Sequence, residues 1–469
     1  MNTRVILIIA ALVLAGGVLR FYKLTYQSLW YDEIHTVLRS GPEVSIPSIM
    51  GYAENSEVDQ PPVFFLYTHF ILKAFGVSDI TVRLGSVLMG LLAIPVMYFL
   101  GREVVNSETG IFAATLTTVN YFHIFHSQEA RFYTLLFLLS ALSYLFMVRA
   151  FKYVRIIDFV LYSLFTVLLL YTHYFGIVVF AAQVLTFVVL VFYKWNDRKF
   201  IIFGFASGLL ICLAFLPWLP IVLKHNQVGS FWVRKPTWYF MLDYVYNYLG
   251  KDAVQVALFA FFIFLFVRQF IKKDYQELQS RQVYLILILW LLISYLIPYI
   301  RSIVSTPILH MRYMIISLPA WILVFSAGWS AIANKKRRIG LMVALIVISL
   351  ANLVFFRKHY TKIQKTQIRE AALLVKNKND RNTPVLSTYC DYYQYYFNNG
   401  MTILRADTSL VSKEDRFWLL QLQALSPEEL TQELKLFEDK FNVAESHQFH
   451  GTAAILLTRK PKMNPEPTP

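Results

Sequence analysis

Long apolar blocks recur along this chain, and nothing else in the sequence narrows its fold so far. They fall at 5–22, 80–100, 108–125, 132–150, 156–172, 174–193, 200–222, 253–270, 282–300, 313–332 and 339–356. A stretch of about 17–22 apolar residues is the length at which a helix crosses the hydrocarbon core. Because lipid offers backbone N–H and C=O groups no partners, such a segment must be helical. The pattern predicts a polytopic α-helical membrane protein with about eleven transmembrane helices, surrounded by membrane lipids. Composition agrees: 57% of the 469 residues are hydrophobic and 16% are charged, against roughly a quarter charged in a soluble domain. The first block is expected to be a retained helix. No small-x-small cleavage site follows it, and Arg20-Phe21-Tyr22-Lys23 has the make-up of an interfacial anchor.

The net charge of +15 does not point to nucleic acid, because the bases sit in short loops between spans. With a cytoplasmic N-terminus, the inner loops carry Arg102, the Arg149/Lys152/Arg155 group, Lys194/Arg198/Lys199, Arg268/Lys272/Lys273/Arg281 and the run Lys335-Lys336-Arg337-Arg338. The outer loops carry scattered bases such as Arg131, Lys224 and Arg301, which is the asymmetry the positive-inside rule demands. An odd number of spans then places the C-terminal residues outside. The two cysteines, Cys212 and Cys390, make neither a disulfide framework nor a metal set.

Residues 1–360 are expected to form the membrane domain, with a long first outer loop at 23–79; loops of that length tend to be functional. Within it, residues 61–76 read as an interfacial helix that starts at Pro61-Pro62 and stops at Gly76. Residues 361–460 read as a small α/β domain outside the membrane. Strand-like runs occur in TPVLSTYCDYYQYYF, RFWLLQLQ and GTAAILLTRK, and a helix is expected in SPEELTQELKLFEDKF with Ser426 as N-cap, Pro427 at its first position and Glu429 closing a capping box. No glycine-rich phosphate loop is present there, and residues 461–469 read as a disordered tail.

The predicted outer surface gathers unusual chemistry. The first loop holds Trp30, Asp32, Glu33 and His35, then Asp59-Gln60-Pro61-Pro62. Later outer turns hold His123, His126, Gln128, Glu129, Arg131 and Tyr133; His173; and Arg301, His310, Arg312 and Tyr313. Taken singly, each has an ordinary explanation as a solvated loop acid, a snorkelling anchor or a packing histidine. Their coincidence on one side, under a topology assigned from other residues, favours a site. A carboxylate opposite an arginine-lined pocket suits transfer of a sugar from a lipid phosphate. Arginines hold the departing phosphate, and the carboxylate takes the acceptor hydroxyl's proton during an inverting displacement.

LWYDE (29–33), QPPVFFLYTHFILKAFGVSDITVRLGSVLMGLL (60–92), HSQEARFYTLL (126–136) and TPILHMRYMIISLP (306–319) together resemble the bacterial glycosyltransferase family 39-like proteins. These are relatives of the protein O-mannosyltransferases and the lipid A aminoarabinose transferases, and share the GT-C membrane fold. The resemblance spans about residues 1–330. It implies a polyprenyl-phosphate sugar donor, a hydroxyl-bearing glycan, lipid or protein acceptor, and an active site facing away from the cytoplasm of a bacterial inner membrane. It implies Asp32 as general base and Glu33 as its partner, orienting the acceptor or Asp32. Arg131 would grip the lipid phosphate, with Glu129 and the adjoining Tyr133 at the donor; Arg312 and Tyr313 would supply a second phosphate contact. Several relatives have a cationic residue where this chain has Gln60. Some relatives bind a divalent metal, toward which Asp59, His126 and His310 are the candidate ligands, although no metal-ligand spacing is evident. A transporter or flippase would instead show repeated, broken helices with midplane charges, whereas a polymerase or ligase of lipid-linked glycans would use similar arginines.

Overall fold

The computed structural model describes residues 2–55, 60–225, 233–271, 278–379, 383–397, 402–405, 414–422, 434 and 437–461. Contacts divide the chain into two compact units, one of residues 1–22 and 40–360, the other of residues 23–39 and 361–469.

In the first unit, the described residues include nine helices long and apolar enough to cross a membrane: Thr3–Phe21, Asp79–Val104, Tyr133–Tyr153, Phe175–Tyr193, Arg198–Lys224, Ala253–Ile271, Arg281–Val304, Tyr313–Ser330 and Lys335–Phe356. Val63–Phe75 and Ile156–Leu170 are apolar but shorter. The chain is a multi-pass membrane protein. Tyr133–Tyr153 and Tyr313–Ser330 are buried almost throughout, whereas Thr3–Phe21 and Lys335–Phe356 turn most of their surface outward. A helix apolar on every side is suited to such a central place. Tyr133–Tyr153 packs against Asp79–Val104 and Ile156–Leu170. Asp79–Val104 and Ser107–Val119 cross so closely that a Cβ on Gly110 would lie 2.4 Å from the Tyr98 carbonyl oxygen, the use membrane helices make of small residues.

The apolar block expected at 108–125 is broken. Ser107–Val119 ends at Asn120, whose backbone is extended (φ −66°, ψ 119°), and Tyr121–Ser127 begins anew. The Asn120 side chain makes the break: its Oδ1 accepts from His123 N at 2.9 Å as an N-cap, and its Nδ2 donates to Tyr248 O at 2.8 Å. The carbonyls of Thr117 and Thr118, left over at the end of the first helix, accept from Arg20 at 3.0 and 3.2 Å. Arg20 also donates to Ser127 Oγ and approaches His123 Nδ1 at 2.8 Å. The expected interfacial anchor is therefore only half right. Phe21 and Tyr22 are exposed, but Arg20 is fully buried, because this helix end offers it more acceptors than the interface would.

The helix expected from Pro61-Pro62 to Gly76 runs Val63–Phe75, and Gly76 closes it at φ +74°, where a side chain would be strained. Phe64, Phe65, Thr68, His69, Ile71 and Leu72 form its buried face.

The second unit holds a five-stranded sheet of order β2-β1-β3-β5-β4. Its strands are β1 (Val385–Ser387), β2 (Ile403–Arg405), β3 (Arg416–Leu422), β4 (Phe441–Phe449) and β5 (Thr452–Arg459). β1 lies parallel to β2 and β3, and β5 runs antiparallel between β3 and β4. The runs expected at RFWLLQLQ and GTAAILLTRK are β3 and β5, buried as inner strands should be. TPVLSTYCDYYQYYF is a strand only over Val385–Ser387; Cys390–Phe397 is a helix, with Tyr393 and Phe397 buried one turn apart. The helix Ile368–Lys378 adds an element the sequence reading lacks. Residues 462–469 of the tail and most of the helix expected from Ser426 lie outside the described residues, but its expected end is not helical: residues 437–440 form a turn and Phe441 begins β4, where it packs into the sheet's core.

Residues 23–39, expected within the membrane domain's outer loop, pack with the C-terminal residues. Gln27 Oε1 accepts from the backbone N–H groups of Gln364 and Lys365 at 2.8 and 2.9 Å. Ser28 Oγ donates to Thr366 O, and Leu29 N donates to Tyr396 Oη. These bonds satisfy the backbone of a segment that has no strand partner.

Candidate active site

The short helix Tyr121–Ser127 ends at Gln128, and the chain turns through Glu129 and Ala130 before Tyr133–Tyr153 begins. Two contacts to Asp79–Val104 hold this turn: Ser86 Oγ donates to Arg131 O at 3.1 Å, and Thr134 Oγ1 donates to Ser86 O at 2.9 Å. Glu129, Arg131 and Tyr133 are all buried. His126 Nδ1 lies 2.8 Å from Glu129 Oε2, and the Arg131 guanidinium stands 4.9 Å over the Phe132 ring. Burying such groups is costly, and proteins seldom retain them without use.

Two further stretches meet this turn. At the end of Ile156–Leu170, Tyr171 O accepts from Val63 N at 3.0 Å, which joins that end to the segment following Gln60. His173 follows, its ring 4.4 Å from Phe132 and 4.8 Å from Tyr313. Beyond Leu278–Val304, Ser302 Oγ accepts from Ile308 N and Leu309 N, fixing the run into His310, Arg312 and Tyr313. Tyr133 lies within electrostatic reach of Arg312, Tyr313, Glu129 and Arg131. Burial, then Arg312 and His126, lower the pKa of His310 to about 4. Burial, then Arg131, lowers that of His173 to about 3. At neutral pH these imidazoles are uncharged, so the positive charge of the cluster comes from arginine.

The expected residues Glu129, Arg131, Tyr133, His126, His310, Arg312 and Tyr313 thus come together in the first unit. Gln60 is half-buried just before Val63–Phe75. Arg301 occupies the last turn of Leu278–Val304, and Asp59 lies outside the described residues. His173, one of the outer-turn residues the sequence singled out without a role, joins the cluster through Phe132 and Tyr313. Among the described residues, no three His, Cys, Asp or Glu side chains are placed to hold a metal ion.

Asp32 and Glu33 belong to the second unit, in the first turn of the helix Tyr31–Ser40. Glu33 is fully buried and paired with Lys365 Nζ at 2.9 Å. Asp32 is only half-buried, and its carbonyl accepts from Thr36 Oγ1 within the helix. The acidic pair is divided: the Glu33 carboxylate is anchored inside the fold, whereas Asp32 is half-buried.

Residues 59–218 match the family model described as dolichyl-phosphate-mannose-protein mannosyltransferase. No curated protein sequence matches the chain significantly. Among solved structures, ArnT from Cupriavidus metallidurans bound to undecaprenyl phosphate aligns with a TM-score of 0.61 at 14% identity, over 96% of this chain and 97% of that one. The archaeal oligosaccharyltransferase AglB from Archaeoglobus fulgidus, in complex with an inhibitory peptide and a dolichol-phosphate, aligns with a TM-score of 0.55 at 10% identity, over 99% of this chain and 75% of that one. The arabinofuranosyltransferase AftD from Mycobacteria aligns with a TM-score of 0.55 at 12% identity, over 99% of this chain and 40% of that one. The chain shares the GT-C fold of these membrane glycosyltransferases, with a small sheet-containing C-terminal domain.

Proposed function

We propose that the chain is an inverting glycosyltransferase of the extracytoplasmic face of a bacterial inner membrane. It moves a hexose or pentose from a polyprenyl-phosphate donor to a hydroxyl of a glycan, lipid or protein. The observation that carries this reading is the buried turn Glu129–Tyr133, which sets Arg131 among Tyr133, His173 and the Arg312-Tyr313 pair within the stretch that matches the mannosyltransferase family model.

The acceptor oxygen attacks the anomeric carbon from the face opposite the phosphate. As that C–O bond forms, the sugar–phosphate C–O bond breaks, and the electron pair leaves on the polyprenyl phosphate. Arg131 and Arg312 stabilise the departing anion, so it needs no proton. Asp32 takes the hydroxyl proton during attack. Glu33 acts through position, because its ion pair with Lys365 fixes the helix turn that carries Asp32. Glu129, held by His126, steers either the sugar hydroxyls or Arg131. Tyr133, Tyr313 and Gln60 line the donor side.

The test is transfer by purified protein from a polyprenyl-phosphate sugar of known anomeric configuration to an added acceptor fraction, with the product's configuration read by NMR. Product of inverted configuration is expected. Retained configuration would refute the single-displacement mechanism. Translocation of intact donor across vesicles, without glycosidic product, would favour a flippase.

A further inference from the structure

We infer that His173 is a ligand of the donor's phosphate group, supplying an uncharged N–H donor beside the Arg131 guanidinium. This rests on the donor reading above and assigns a contact that it does not contain.

The ring is held in one tautomer. Phe175 N donates to His173 Nδ1 at 3.0 Å, so Nδ1 is the acceptor and the proton of the neutral ring sits on Nε2. Nε2 is buried and, among the described residues, has no hydrogen-bond partner. Leaving a buried donor unmet is costly, and a protein retains that cost where something else meets the group. The surroundings name what can. His173 and Arg131 both contact the Phe132 ring, at 4.4 Å between centroids and 4.9 Å from the guanidinium carbon, and Tyr313 packs on His173 at 4.8 Å. A second cation so near Arg131 would repel it; a neutral N–H does not, and still donates to an anionic oxygen. The pair offers a phosphate one charged fork and one neutral donor. Burial and Arg131 both disfavour protonation of His173, so the ring is a donor throughout the neutral range and is excluded from proton transfer.

The experiment is binding of labelled polyprenyl monophosphate to the full chain in nanodiscs, with uncharged polyprenol as the comparison, for wild type, His173→Phe and His173→Gln. Loss of one hydrogen bond to a charged group corresponds to about a ten- to hundredfold weakening. That loss is expected for His173→Phe on the phosphate ligand alone, with polyprenol binding unchanged and substantial recovery in His173→Gln, which retains an N–H donor. Wild-type thermal unfolding midpoints in both variants would establish that they fold. Unaltered phosphate preference in His173→Phe would overturn the assignment while leaving the donor reading intact. Equal weakening in both variants, or an equal loss of polyprenol binding, would mark a packing role and also overturn it. A wild type that does not distinguish phosphate from alcohol would sink the donor reading itself.

Discussion

Replacing Arg20 with Met leaves the Thr117 and Thr118 carbonyls, Ser127 and His123 without the cation that joins them. A loss of about 3 kcal/mol or more is expected from stranding several buried polar groups at once. Arg131→Met removes a group whose backbone is independently held by Ser86. It should abolish donor binding with a smaller loss of stability. Denaturant unfolding of the two variants, beside donor binding, separates the roles; equal destabilisation would contradict them. Histidines sharpen the same contrast. His173, facing Arg131, Phe132, Phe175 and Tyr313, and His310, facing Arg312, His126 and Tyr313, have folded pKa values of about 3 and about 4, against roughly 6.5 unfolded. Between those limits the unfolded chain binds more protons. Stability is therefore full above about pH 6.5 and falls as the pH drops toward the folded values. The unfolding midpoint should drop less between pH 7 and pH 4.5 in His173→Gln than in wild type. Superimposable acid profiles would show that His173 is not held neutral.

At the scale of elements, the terminators were legible and the internal break was not. Pro61-Pro62 and Gly76 mark Val63–Phe75 because their backbone preferences act locally. Asn120 interrupts an apolar run without proline or glycine, and its effect depends on partners far away in sequence, Tyr248 and Arg20. The run Cys390–Phe397 misleads in the opposite sense. Four tyrosines suggest a strand, yet Tyr393 and Phe397 are the pair that meets the core, at helical spacing, and Tyr393 Oη donates to Gln421 O. The acidic pair of the first loop was legible as a pair, but the burial of Glu33 was not, since its partner Lys365 lies 332 residues away. Glu33→Gln or Lys365→Met should each destabilise the second unit by about 3–5 kcal/mol, the cost of leaving one buried partner uncompensated. The double variant should recover part of that loss. Losses that simply add would show that the two residues act separately.

For the whole molecule, apolar block lengths led directly to a multi-pass helical protein, and the change of composition near residue 361 marked the sheet domain. The charge bias of the loops further predicts that this domain is extracytoplasmic. Cys390 is half-exposed there, whereas Cys212 sits in the apolar helix Arg198–Phe215. In intact cells carrying Cys212→Ser, a membrane-impermeant maleimide should label Cys390. Labelling only after lysis would invert the topology. The account as a whole stands on Asp32 as the base that makes an acceptor hydroxyl reactive. The measurement that tests it most directly is single-turnover sugar transfer from a labelled polyprenyl-phosphate donor, comparing wild type with Asp32→Asn at matched donor occupancy. The account predicts unchanged donor binding and a transfer rate lowered by about two to four orders of magnitude. Equal transfer rates in the two proteins would contradict it.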